Sequence, residues 1–412
     1  MQKPFLRRLV LSVVFTISCQ TMLPAAKEKD DPYLMQLTKL AEEGNPKAQN
    51  ELASYYYVRS LSSENQDYEL AVYWFEQAAK HKQPNALFNL GICYEQGLGV
   101  KKNREKAIQY FRQAADLGVE QAQLNTAISY LERQKTKEAL PYFEMCAIQG
   151  NVVCQREYGR LLIFGKNTEQ KPEQGLKYLE KAAFNSDMEA AMILADAYNG
   201  KIPGVKPDLN KMVDTLWRAA NMEYAPAISR LAYCYQQGIG MPQDPMMAVK
   251  WYRRASEKGY APAMLNLGHC YAQGIGVTKD ASEAFNWYRF AADALLPEGQ
   301  YNVGVAYYSG IGVEQDFAKA REYFRAAADR NMADAQFNLG IMYEYGDGVA
   351  SDMTKAVDWY QKAANNGEAD AWLALARCYR EGNGVPKDAT KARELMDKGL
   401  AMGAGQSLKA TP

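Results

Sequence analysis

The chain has 412 residues with 48 basic and 48 acidic side chains, and its two histidines are His81 and His269. Zero formal charge is a poor match to nucleic acid, whose phosphates call for a basic surface, so no nucleic-acid partner is expected. Two histidines argue against a histidine-rich zinc site or a Ser-His-Asp enzyme. An aromatic content of 11% argues against a disordered chain.

In chain order, Lys3, Arg7 and Arg8 precede an apolar run from Leu9 to Ile17. The run is far shorter than the about 20 residues of a membrane-spanning helix. The pattern predicts a secretory signal over residues 1–26 and an exported protein, either periplasmic, an outer-membrane lipoprotein or secreted. Two cleavage readings stand. Thr16-Ile17-Ser18-Cys19 resembles a lipoprotein signal and makes Cys19 a candidate for lipidation; ordinary cleavage near Ala25 or Ala26 is the other. No later segment is apolar enough to span a membrane.

After the signal the chain repeats itself. The pattern A-x-x-x-L-G-x-x-Y occurs at Ala86–Tyr94, Ala263–Tyr271 and Ala335–Tyr343. Ten anchors carry it or a weaker copy: Ala48, Ala86, Ala122, Cys154, Ala190, Ala227, Ala263, Gly299, Ala335 and Ala371. Most lie 36 residues apart, a period that marks a solenoid. Counting each anchor as position 0, positions 0, 4, 5 and 8 fall on one face of a helix. A second motif follows, with an aromatic pair four residues before Ala-Ala, as in Trp287-Tyr288 with Ala291-Ala292 and Trp359-Tyr360 with Ala363-Ala364. Each copy therefore predicts two antiparallel helices, with both aromatics in the core. Gly-x-Gly-Val, as at Gly274–Val277, ends the first helix through positive φ. Asp208, Asp244, Asp280, Asp316, Asp352 and Asp388 are placed to cap the second. These glycines lack the strand and third glycine of a dinucleotide loop.

The pattern resembles the Sel1-like repeat family, a relative of the tetratricopeptide repeats. The resemblance implies an all-α fold, a right-handed α-solenoid of about ten helix-turn-helix repeats over residues 48–404. Residues 27–47 supply an N-terminal capping helix, and residues 405–412 form a flexible tail. The copy at Ala122 lacks the Gly-x-Gly turn, the copy at Cys154 keeps only Gly165, and the copy at Ala190 stretches the turn to Gly200–Gly204. A cysteine-rich branch of the family bridges cysteines eight positions apart. That makes Cys146 and Cys154 a candidate disulfide, with two buried thiols as the alternative. Cys93, Cys234, Cys270 and Cys378 all fall at position 7 and are expected to be free buried thiols.

No nucleophile, metal or phosphate-loop motif is present, so no catalytic residue, metal or cofactor is assigned. The family implies adaptor or regulatory roles, often in envelope assembly, secretion or host contact. Positions 3, 6 and 10 of each first helix form the face left over from packing. There Asn266, Asn302 and Asn338 are expected to hold the backbone of a protein or peptide partner. Bonding to the neighbouring repeat is the other role open to these amides. Tyr233, His269 and Ile341 are expected to give specificity. The chain is expected to be a monomer. The alternative functions are an enzyme acting on the cell wall or a β-lactam, an inhibitor of such an enzyme, or a plain spacer.

Overall fold

A computed structural model describes residues 31–62, 67–165 and 168–405. The predicted signal, with Cys19, lies outside the described residues. Among the described residues there are twenty-one α-helices and no strand. They fall into two compact units, one ending at Pro207 and the other beginning at Asp208.

The first unit opens with α1 (Pro32–Glu42), the predicted cap, whose Leu37 and Ala41 cluster with Ala48 and Leu52. Four helix pairs follow. They are α2 (Pro46–Ser62) with α3 (Tyr68–Lys80), α4 (Pro84–Gln96) with α5 (Arg104–Asp116), α6 (Glu120–Glu132) with α7 (Thr136–Ile148), and α8 (Val152–Phe164) with α9 (Pro172–Phe184). A shorter helix, α10 (Met188–Asp196), then leads into a wide turn over Ala197–Lys201, where Gly200 takes φ +76°. The second unit opens with α11 (Leu209–Asn221). Five pairs complete it: α12 (Ala225–Gln237) with α13 (Pro245–Glu257), α14 (Ala261–Gln273) with α15 (Ala281–Asp293), α16 (Pro297–Ser309) with α17 (Phe317–Ala328), α18 (Ala333–Tyr345) with α19 (Met353–Asn365), and α20 (Ala369–Glu381) with α21 (Ala389–Ala401). The copy anchored at Ala190 spans the boundary between the two units. Its first helix closes one unit and its second opens the other.

Each pair packs through the predicted face. In α14, Ala263, Leu267, Gly268 and Cys270 are buried. In α14 and α18 position 5 is glycine, and the second-helix aromatic lies flat on the backbone there. A Cβ on Gly268 would sit 2.5 Å from the Tyr288 ring, and one on Gly340 2.4 Å from Tyr360. The second residue of most aromatic pairs is the core residue, with Phe75, Phe111, Phe143, Tyr252, Phe324 and Tyr360 fully buried and Tyr288 half-buried. The first residue varies: Trp251 and Trp359 are buried as expected, whereas Tyr110, Tyr142, Trp287 and Tyr323 are half-buried. Cations lie over both kinds, with Arg254 4.9 Å over Trp251, Arg325 4.9 Å over Trp359 and Arg253 5.6 Å over Trp287.

The turns follow from their glycines. Gly274 takes φ +77° and its N–H donates to the Cys270 carbonyl at 2.8 Å, followed by Ile275 N–H to the same oxygen at 2.9 Å. All six predicted aspartates accept backbone N–H groups at the start of the second helix, as Asp280 does from Ser282 and Glu283. Each such cap contributes about 1 kcal/mol. Gly165 is an exception among the helix-ending glycines, with φ −62°. Gly405, the last described residue, donates its N–H to Asp370 at 2.8 Å; the rest of the predicted tail lies outside the described residues.

Cys146, near the end of α7, and Cys154, in α8, are joined by a disulfide with their Cα atoms 5.8 Å apart. Closing so short a loop is worth about 2.5 kcal/mol in the chain-entropy account. The Cys146→Ala, Cys154→Ala double variant restores the Ala-Ala contact of Ala363 and Ala371. It is expected to lower unfolding free energy by about that amount in urea titration, and an unchanged midpoint would show that the bridge adds nothing. Cys93, Cys234, Cys270 and Cys378 are free and buried. Burial pushes the Cys270 thiol up to about 11, which keeps it protonated and unreactive at neutral pH.

Candidate interaction face

The six residues singled out for partner contact all lie in the second unit, on first helices. Position 0 is buried throughout, at Ala227, Ala263, Gly299, Ala335 and Ala371. Position 4 is also buried throughout, at Leu231, Leu267, Val303, Leu339 and Leu375. Positions 3, 6 and 10 turn away from that core. Position 10 is exposed in α12, α14, α16, α18 and α20, at Gln237, Gln273, Ser309, Tyr345 and Glu381.

Asn266, Asn302 and Asn338 occupy position 3 of α14, α16 and α18 and are half-buried. The Asn266 and Asn302 side chains make no hydrogen bond to another described residue. Asn338 differs, with Nδ2 donating to Tyr301 Oη of the preceding repeat at 3.4 Å. Asn125, the same position in the first unit, is buried and accepts from Gln121 at 3.4 Å. At position 6, Tyr233 is 48% exposed. Ile341 is half-buried against a cluster that includes Tyr360 and Leu375.

His269 is set by its neighbour. Its Nδ1 lies 3.0 Å from Tyr288 Oη, which ties the first helix to the second. The other buried core tyrosines find their partner at position 9: Tyr252 donates to Gln236 Oε1 at 2.9 Å and Tyr360 to Glu344 Oε2 at 2.6 Å. Position 9 of α14 is Ala272, which has no acceptor, and His269 takes the role. Burial holds the His269 imidazole below the usual 6.5. As pH falls through about 6.5 the unfolded chain binds the proton first. Stability from neutral His269 is therefore complete above that pH and is lost below it. An NMR titration is expected to give a His269 midpoint below 6.5, and one above it would contradict burial as the governing cause.

Sequence reasoning missed the ion pair at the end of this row. Arg377, at position 6 of α20, donates to both Glu344 oxygens at 2.6 Å, and Tyr345 beside it is 65% exposed. Glu344 is thus held by Arg377 and Tyr360 together. The signal was available: Glu at position 9 facing a core Tyr in the same repeat. Chemically, the face offers amides, hydroxyls and apolar side chains, suited to holding a main chain. Among the described residues, no group of three or more His, Cys, Asp and Glu is gathered as a metal site requires, and no helix is long and apolar enough to cross a membrane.

A stack of paired helices with an open, varying first-helix row defines an interaction scaffold. The Sel1 repeat model matches residues 46–82, 84–119, 152–183, 225–260, 261–294, 297–332, 333–368 and 367–403, and the chain belongs to the Sel1 repeat family. Repeats of this family generally mediate protein–protein interaction, and the scaffolds are typically non-catalytic. The chain is similar in structure to c5321, a protective antigen of uropathogenic Escherichia coli displaying an SLR fold. Identity is 26%, the match covers 91% of this chain and 92% of that one, and the TM-score is 0.57. It is similar as well to a Sel1 repeat protein from Oxalobacter formigenes, at 28% identity, 84% and 90% coverage and TM-score 0.55. Among curated proteins, DAP3-binding cell death enhancer 1 of Rattus norvegicus is 31% identical over 93 residues, 23% of this chain. The chain spans between 18% and 35% of the length of the first three curated relatives it matches.

Proposed function

We propose that this protein is an exported adaptor that binds a protein or peptide along the first-helix row of its second unit. Asn266 and Asn302 carry the reading: two half-buried amides in the same register of consecutive repeats, with no hydrogen bond to another described residue. Tyr233, His269 and Ile341 vary at the next position along the row and tune which partner fits. The basic and apolar start of the chain supports export, with Cys19 the residue to test for a lipid anchor.

The test is proximity labelling in the native host with a C-terminal tag. One envelope or host protein is expected to be enriched, and the Asn302→Ala, His269→Ala pair is expected to lose it. Asn302→Ala alone should weaken binding by about fivefold, the worth of one net hydrogen bond. It should move stability by less than about 0.5 kcal/mol. Enrichment that survives both substitutions would place the binding surface elsewhere. Recovery of wall fragments alone would favour a wall-acting role.

A further inference from the structure

We propose that the ends of α7 and α9, in the first unit, form a second docking face that takes an acidic, amphipathic segment of another protein. This face is separate from the first-helix row and does not depend on the reading given to that row.

One position of the repeat carries the first argument. The residue six before each anchor ends the second helix or directly follows it, and it is exposed in all ten copies. It is polar in eight of them, at Glu42, Lys80, Asp116, Asn221, Glu257, Asp293, Asp329 and Asn365. The two exceptions are consecutive, Ile148 and Phe184. Ile148 is 69% exposed and Phe184 80%, so neither serves the core. Their helices, α7 and α9, both pack on α8. Gln155 of α8 stands between them. It donates to the carbonyl of Ala147, next to Ile148, at 3.4 Å, and it lines a cavity of about 620 Å³ together with Phe184.

That cavity is the second argument. Gln123 and Gln336, in the same register as Gln155, accept at Oε1 from Gln149 and Asn366, each at 2.8 Å. Those two amides lie five residues before the next anchor. The counterpart for Gln155 is Asn185, which lines the cavity instead of closing it. Gln155 Oε1 is buried and has no hydrogen-bond partner among the described residues. A main-chain N–H entering here would take the place that Gln149 and Asn366 hold in the other copies.

Charge selects the occupant. Lys177, Lys181 and Phe184 fall on one face of α9 and line the cavity. Both lysines are exposed, and neither forms an ion pair with another described residue. Glu180 lines the cavity as well, but it accepts from Tyr198 Oη at 2.5 Å. The same three positions of α7 are Pro141, Met145 and Ile148. A lysine pair beside an apolar stripe complements a segment that carries carboxylates next to apolar side chains. A basic segment would meet like charge.

The experiment selects a random peptide library displayed on phage against the intact protein. Selected peptides are then measured on Phe184→Asn and on the Lys177→Gln, Lys181→Gln pair. Asn is the residue at this position in two other copies, and circular dichroism checks that both variants keep the parent helicity and melting midpoint. The expected result is enrichment of peptides that combine Asp or Glu with apolar residues, with affinity at least about tenfold weaker for Phe184→Asn. Salt is expected to weaken binding to the parent and to have little effect on the lysine variant. Asn266→Ala is expected to bind these peptides as the parent does. Selected peptides that are basic or uncharged, that bind both variants as they bind the parent, or that depend on Asn266 instead, would overturn the proposal. No enrichment would overturn it too, and a dimer in light scattering that Phe184→Asn dissolves would then give the face to a second copy.

Discussion

Gly276→Ala is expected to destabilise the second unit by about 2–5 kcal/mol, although it adds one methyl group in a surface turn. Two costs combine. Gly276 has φ +69°, where an L-residue pays about 1–2 kcal/mol. Its Cβ would also stand 2.1 Å from the Pro245 carbonyl oxygen and 2.9 Å from the Met246 nitrogen. Those are backbone atoms at the start of α13 and cannot rotate away, so overpacking adds about 1–3 kcal/mol. Gly259 separates the two costs. It has φ +77° but nothing within 4 Å of its Cβ, so Gly259→Ala should show the dihedral cost alone. Urea titration of both variants, with hydrogen exchange over α13 and α15, checks the difference. Equal losses would mean that the close backbone approach carries no weight.

Arg156→Ala is expected to cost the first unit about 3–5 kcal/mol, since it strands the buried Asp187 carboxylate, whereas Glu157 keeps its pairing with Arg160. The Arg156 side chain is 9% exposed and pairs with Asp187, itself 8% exposed, at 2.6 Å, and with Glu157 at 3.1 Å. Burial opposes its charge, yet Asp187, Glu157 and Glu189 outweigh that opposition and raise its proton affinity. Asp187 also caps α10 through the Ala190 N–H, so the arginine links two consecutive first helices through one cap. Asp329→Ala is the reference. It removes the exposed pairing with Arg325 while leaving Arg325 over Trp359, and should cost under about 0.5 kcal/mol. A loss for Arg156→Ala no larger than that would mean the Asp187 carboxylate turns out to water once freed.

What the sequence makes legible here is whatever the backbone conformation governs locally. Gly-x-Gly, the capping aspartates and the apolar face at positions 0 and 4 each depend on residues within a turn or two, and the structure has them where the spacing puts them. Contacts made across the stack are harder to read. Gln49, Gln123 and Gln336, at position 1, donate to the carbonyls of Ala41, Ala115 and Ala328. Each clamps the end of one second helix to the next first helix, yet a lone glutamine on an apolar face gives no direction in sequence. Arg156, at position 2, belongs to neither register read from the sequence, and its partners Asp187 and Glu189 lie in another repeat. In the interaction face, exposure of Tyr233 could be anticipated from position alone. The anchoring of His269 by Tyr288 could be read only by noticing that Ala272 leaves a core hydroxyl without its usual acceptor.

The close approach at the second turn glycine has a direction. Gly99 meets Tyr68, Gly240 meets Leu209, Gly276 meets Pro245, Gly312 meets Ala281, Gly348 meets Phe317 and Gly384 meets Met353. In every case the carbonyl or backbone being met belongs to the preceding repeat. Each of these six approaches is thus made to chain synthesised before the turn itself. Synthesis and folding can then advance together, one repeat at a time, with each finished repeat serving as the template for the next.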